Sequence, residues 1–477
     1  MGPPSRPARR CQLVGVAAPA GGAGAARLRS RSARARGRGQ PQGDPRLHAL
    51  GRGVRAVDLG RRRRTVRRGP RALGRRVRPG NRAHGDRGSG FGARGPERRG
   101  VRGPGRGAVG LYVHLPFCAS RCAYCTFATS TELDLMPRVM AALARELGAL
   151  GRSGGRPLAT LYLGGGTPSL VPVGLLTDLL ATIDRHFPRL PGAEVTLEAN
   201  PDDVTAEKSR AWAALGVTRV SVGVQAFSDP ALAMLNRRHD AAQASAAVET
   251  LQRAGFAVSV DLMLGLPGLG PDETGATLAE LLRLRPGHVS VYLLEMDKPH
   301  ALARLYERRP DLFPAADAAA AQYLAAGRAL VAAGYRHYEI SNFALPAREA
   351  RHNVRYWRRH PVLAAGLAAH GQSGRRRWAN LDALPAYLDA VESGGSARAW
   401  SRRLGEDEVV KERVMLGLRL ARGVTEGTIA ACSALAPTFA DGLEDFLALG
   451  LARRAGGRVR LTPRGWLVSN ELFARLW

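Results

Sequence analysis

A chain of 477 residues has room for two or three domains, and no apolar run in it reaches the 18 or so residues of a membrane-spanning helix. Its five cysteines, three of them clustered, suit a reducing compartment better than a disulfide scaffold. The formal charge of +31 resembles a nucleic-acid signal until it is located: residues 1–108 hold 29 Arg against 4 acids, a net of +25, which leaves only +6 for residues 109–477.

Residues 1–108 are rich in Arg, Gly, Pro and Ala. They cannot bury enough apolar surface to offset chain entropy, so the expectation is a disordered extension. Three readings compete. Arg61–Arg64 with Arg67 and Arg68 would serve a nucleic-acid arm, but no aromatics are interleaved for base stacking. Residues 1–43 lack acids, as transit peptides do, yet show no amphipathic helix. The favoured reading is a spurious extension, translated from GC-rich sequence upstream of the real start.

From residue 109 short apolar strands alternate with amphipathic helices. Strands are predicted at 111–117, 160–163, 194–198, 219–224, 257–264 and 288–293. Helices are predicted at 136–150, 175–186, 208–215, 241–254 and 272–284. Alternation at this spacing predicts a parallel sheet with crossover helices, an α/β fold forming a partial (β/α)6 barrel over 109–345, with ligands at the carboxyl ends of the strands.

The first strand leads into Cys118, Cys122 and Cys125, spaced C-x3-C-x2-C. Three soft thiolates suit an iron–sulfur cluster with one iron left open. A structural zinc would want a fourth ligand, for which His114 is the nearby candidate. Polar or Gly-rich features follow the other strands: Gly164-Gly-Gly-Thr-Pro168, Glu198-Ala-Asn-Pro201, Gly223-Val-Gln225, and Asp261 before Gly265-Leu-Pro267. Each alone reads as a turn. Together they read as a binding rim, with backbone N–H groups and a carboxylate for ribose hydroxyls.

In this order the motifs resemble the radical S-adenosylmethionine proteins. The narrower resemblance is to the branch holding oxygen-independent coproporphyrinogen dehydrogenase and the HemW-type haem chaperones. It covers residues 109–477 and implies a [4Fe–4S] cluster on Cys118, Cys122 and Cys125. It implies S-adenosylmethionine contacts at Tyr112, Tyr124, Gly165, Gly166, Thr167, Glu198, Gln225, Arg237 and, after a one-residue gap, Asp261. The dehydrogenase pattern has a fourth cysteine where this chain has Phe127, as the chaperones do. His352-Asn-Val-Arg-Tyr-Trp357 resembles their HNxxYW haem motif, which would place haem at His352, Asn353, Tyr356 and Trp357. A neutral imidazole is a good axial ligand; a core histidine beside two buried aromatics is the plainer reading of a lone His-Asn pair, but with the upstream motifs in register haem binding is the favoured one. Two positions depart from the family: Thr126 stands where Asp is usual, and Gly366-Leu-Ala-Ala-His370 stands where GPGAH is usual.

Residues 346–477 are expected to form the family's C-terminal region, ending in an α+β winged-helix-like domain. Its parts are a helix at 406–421, helical segments at 425–431 and 441–449, and a hairpin at 451–461 turning at Gly456-Gly457. The segment 441–449 is acidic and would repel phosphates, so no nucleic-acid partner is expected. The resemblance implies a cytoplasmic haem chaperone serving respiratory or storage haemoproteins, and is compatible with transient membrane association and a homodimer. The alternative is a coproporphyrinogen dehydrogenase.

Overall fold

The structure, a computed structural model, describes residues 107–477; the readings of the Arg-rich segment lie outside the described residues. Six parallel strands appear where the sequence places them: β1 (Val109–Leu115), β2 (Leu158–Gly165), β3 (Arg189–Ala199), β4 (Arg219–Gln225), β5 (Ala257–Leu264) and β6 (His288–Leu293). Every residue of β1 is buried, as expected of a parallel strand covered on both faces. The crossover helices cover the outer face. In Met136–Arg152, Val139, Met140, Leu143 and Leu147 recur at helical spacing and are all buried. Each such leucine stabilises the fold by roughly 2 kcal/mol through its removal from water. Ala241–Arg253 starts at a capping box, in which Asp240 Oδ1 accepts from the Gln243 N–H at 2.7 Å and Gln243 Oε1 accepts from the Asp240 N–H at 3.0 Å.

The sheet then continues further than the six units. After β6 comes a hairpin, β7 (Arg336–Glu339) and β8 (Asn342–Ala344), with β8 antiparallel to β6. Residues beyond the expected boundary at 345 also join the sheet. β9 (Val362–Gly366) lies parallel to β1, followed by β10 (His370–Ser373), β11 (Arg376–Asn380) and β12 (Arg398–Arg403), all antiparallel. The order is β12-β11-β10-β9-β1-β2-β3-β4-β5-β6-β8-β7. Helix Glu406–Leu418 and the residues after it span the two ends of this open sheet. Glu412 pairs with Arg377 of β11 and Glu408 with Arg402 of β12, while Leu420 bridges Glu339 of β7.

The C-terminal part has its own core, including Val414, Ile429, Phe439, Leu443, Trp466 and Phe473. Helices Glu426–Leu435 and Pro437–Ala448 precede β14 (Ala452–Ala455) and β15 (Arg458–Leu461); β15 also pairs with β13 (Val424–Thr425). The hairpin turns at Gly456 and Gly457, both at positive φ (59° and 67°), the backbone a two-residue hairpin turn requires.

Candidate functional site

Side chains facing the barrel interior form polar layers because successive residues of a strand alternate faces. At the carboxyl end the cysteine loop leaves β1 and closes over the strand ends. Thr167 Oγ1 donates to Cys118 Sγ at 3.4 Å, and Arg237 Nη1 donates to Cys122 Sγ at 3.3 Å. The Phe127 N–H and the Thr129 hydroxyl attend Cys125, so the unusual Thr126 is not its hydrogen-bond partner. Gly166 presses on this loop: a Cβ there would lie 2.6 Å from the Phe117 carbonyl oxygen. Glycine is therefore required by close approach, as the GGGTP motif suggests.

The rim below is built from β3, β4 and β5. Glu198 accepts from the Tyr162 hydroxyl at 2.7 Å and from the Gly165 N–H at 3.0 Å. Burial pushes its carboxyl up to about 7, against the pull of these two donors. Asp261 accepts from Ser221 at 3.3 Å, and burial raises it to about 6. Gln225 closes β4 with φ of 69°, a left-handed conformation that costs a non-glycine residue about 1 kcal/mol. The Arg237 guanidinium binds Asn200 Oδ1 and the Gly223 carbonyl, both at 2.7 Å, and its buried Nε has no partner. Tyr124 packs in a small cluster with Ala226, Met263 and Leu266 under the cysteine loop. Tyr112 is buried within the barrel, its ring 6.0 Å from that of Tyr162 and its hydroxyl 3.1 Å from His114 Nδ1.

These residues suit the cofactors the motifs imply. His114, the fourth ligand a zinc reading would call on, has its Nε2 2.8 Å from the Ala128 carbonyl oxygen. Three soft sulfurs, each already receiving N–H or O–H donors, suit a cluster. Burial pushes the free Cys118 thiol up to about 11, so the iron's charge would be what releases its proton. For S-adenosylmethionine the rim offers two buried carboxylates, an unpartnered Arg237 Nε and glycine backbone open to close approach.

The HNxxYW residues lie at the opposite end. Helix Arg351–Trp357 plugs the barrel floor, and Glu194 of β3 caps its start. The carboxylate accepts from the Arg351 N–H at 3.1 Å, the His352 N–H at 2.9 Å and Arg219 Nε at 3.2 Å. Arg219 in turn donates to the carbonyls of Arg348 and Glu349. His352 is 1 % exposed, with its Nδ1 at 2.9 Å from Thr160 Oγ1 and its ring 5.1 Å from that of Tyr162. Its Nε2 is buried without a partner, and burial lowers the imidazole to about 3. Asn353 and Trp357 are also buried, and the Arg419 guanidinium lies 4.4 Å over the Trp357 ring. Tyr356 packs on both the interior and the C-terminal helix Glu406–Leu418. The helix thus turns His352, Asn353 and Trp357 inward and leaves Tyr356 partly buried.

Fold and site together define a radical S-adenosylmethionine protein. The family model for the radical SAM superfamily matches residues 112–281, and that for the HemN C-terminal domain matches 404–468. The heme chaperone HemW of Mycobacterium tuberculosis is 35% identical over 373 residues, covering 77% of this chain and 94% of the relative. That of Bacillus subtilis is 32% identical over 368 residues, covering 76% and 97%. The chain belongs to the HemW family. Among solved structures, coproporphyrinogen III oxidase (HemN) from Escherichia coli superposes with a TM-score of 0.68 at 22% identity, over 78% of this chain and 90% of that one, a likeness of fold. The superfamily implies a [4Fe–4S] cluster and S-adenosylmethionine. Among the described residues no helix is long and apolar enough to cross a membrane.

Proposed function

We propose that this chain is a haem chaperone of the cytoplasm, which binds haem and passes it to respiratory or storage haemoproteins. The observation that carries the reading is an intact cofactor rim whose cysteine loop ends in Phe127, where the porphyrin-making dehydrogenases carry a further cysteine. The named activity of the relatives supports it.

In this reading Cys118, Cys122 and Cys125 hold the cluster. Tyr124, Gly165, Gly166, Thr167, Glu198, Gln225, Arg237 and Asp261 hold S-adenosylmethionine, with Tyr112 supporting the site through His114. When bound, the cluster offers an open iron and one-electron reducing chemistry. The chain's own residues orient and shield. Arg237 ties Cys122 to Asn200 and Gly223, so the cysteine loop is held to the rim. Glu198, held by Tyr162 and Gly165, presents a fixed acceptor. His352, Asn353, Tyr356 and Trp357 serve haem carriage by shaping the barrel floor.

The test uses the full chain with its cluster reconstituted anaerobically. Added haem should give a stoichiometric Soret band, and the haem should transfer to an apo-haemoprotein. No haem uptake, together with conversion of coproporphyrinogen III to protoporphyrinogen and release of 5′-deoxyadenosine, would instead establish the dehydrogenase.

A further inference from the structure

A haem chaperone needs an iron ligand that a macrocycle can reach, and the buried His352 does not supply one. Four more of the described histidines, His114, His239, His288 and His300, are buried as well. His337 stacks on Phe343 at 3.9 Å and spends its Nε2 on the Ile340 carbonyl. His186 and His360 are partly exposed but have no aromatic neighbour among the ring contacts. His370 differs from all of these. It is partly exposed, no side chain or backbone group among the described residues hydrogen-bonds its ring, and Trp400 stands edge-on to it at 5.9 Å. Trp400 itself is 44 % exposed, an unusual setting for so large an apolar ring.

The strand register puts this pair on the side of the sheet that faces the barrel interior. Val362 of β9 pairs with both Gly110 of β1 and Gln372 of β10, and Gly110 pairs with Thr160, the partner of His352. Gln372 therefore lies on the interior-facing side, and so does His370 two residues before it. His370 pairs with Ala379, and Ala379 with Trp400. Arg402 follows Trp400 on the same face, about 6–7 Å further along the edge strand. The wing β10–β12 thus presents an imidazole, an exposed indole and a cation in one row beside the open edge of the barrel.

The row is also held rigidly. Partly buried Glu146 accepts from the Gly366 N–H, Asn380 Nδ2 and the Tyr387 hydroxyl, and the Ala368 N–H donates to the Leu381 carbonyl. These bonds fix the turn 366–369 that delivers His370. Gly366 pairs with His114, whose Nε2 lies 2.8 Å from the Ala128 carbonyl of the cysteine loop. The His370 end of the wing therefore adjoins the cofactor rim, while its other end, at Gln372 and Arg402, runs toward the barrel floor, where Gln372 Nε2 donates to the Arg355 and His360 carbonyls.

We infer that His370 is the axial ligand of the haem iron, with Trp400 packed on the porphyrin and Arg402 available to a propionate. The inference rests on the haem-carrier reading above and relocates its metal-binding residue. A neutral imidazole suits ferric or ferrous haem. An exposed indole offers apolar area to a flat ring with little entropy to lose. Arg402 would exchange its present partner, Glu408, for the propionate.

The experiment is a haemin titration of the full, cluster-loaded chain, read by Soret position, affinity and electron paramagnetic resonance of the haem iron. His370→Ala should weaken haem at least tenfold and shift the Soret band. Trp400→Ala should weaken it several-fold without moving the band. His360→Ala, at a partly exposed histidine outside the row, should keep the parent spectrum and bind within about twofold. His370→Gly supplied with free imidazole should recover the parent spectrum, a rescue that a folding defect would not show. If His370→Ala and His370→Gly match the parent in spectrum and affinity, the assignment is overturned while the carrier reading stands. If His352→Ala alone abolishes the parent spectrum, the ligand is His352 and the assignment is wrong. If the parent takes up no haem, the carrier reading fails and the assignment falls with it.

Discussion

The two ends of the barrel are built from the same strands and solve opposite problems. At the carboxyl end polar groups are kept available. Cys118, Cys122 and Cys125 are partly exposed, Arg237 Nε is unpartnered, and Gln225 holds a strained backbone. At the amino end the main polar groups are consumed. Glu194, Arg219 and the first N–H groups of helix Arg351–Trp357 bond one another, and the ring nitrogens His352 Nε2 and Trp357 Nε1 are the buried exceptions. The contrast is between a rim that keeps charged and thiol groups available and a floor whose buried charges are paired.

The largest expected effect sharpens the first half of that contrast. Cys125→Ala should abolish the cluster, seen as loss of the absorption near 400 nm and of bound iron, while far-UV circular dichroism and the apo unfolding midpoint hold. A cluster retained at full iron content would remove Cys125 from the ligand set. The second prediction probes the floor. Glu194→Ala leaves Arg219 buried without its counter-ion and two helix N–H groups without an acceptor, and should cost about 3–5 kcal/mol in urea unfolding. A loss below 1 kcal/mol would show that the plug is not held by this carboxylate.

A third prediction uses pH. Glu198 and Asp261 titrate near 7 and 6 in the folded chain, raised by burial from ordinary carboxyl values. The native state therefore binds more protons than the unfolded state between about pH 4 and 7, and stability of the apoprotein falls as pH rises through that window. For Glu198 the full loss is on the order of 3 kcal/mol. Glu198→Gln should flatten that part of the profile, and an unchanged slope would refute the assignment. The smallest effect is at Ala368, which sits at φ of 52°, a conformation better suited to glycine. Ala368→Gly should raise the urea midpoint by the equivalent of about 1 kcal/mol; a lower midpoint would show that the turn tolerates alanine without strain.

Much of the rim was legible because its signals are local. Glycine at a close approach, proline after a strand and a carboxylate at a strand end each impose their geometry within a few residues, so GGGTP, EANP and the cysteine spacing could be read as a connected series. The HNxxYW helix illustrates the opposite case. His352, Tyr356 and Trp357 announce a ligand set by type, but whether they face outward depends on Glu194 and Thr160, more than 150 residues away in the chain. The same holds for β9–β12. Their short, Arg-rich strands have weak periodicity, and only pairing with β1 makes them part of the barrel.

The sequence by itself determined the six parallel strands, their crossover helices, the cysteine loop and the order of the rim motifs. These follow from periodicity, breaker residues and spacing, which act over a turn or a strand. Only the tertiary structure decided that the sheet runs on through β9–β12, that Tyr112 and His352 are interior residues, and that His370 meets Trp400 beside the rim. Strand pairing and burial are long-range outcomes, set by which apolar faces find each other, and no window of neighbouring residues contains them.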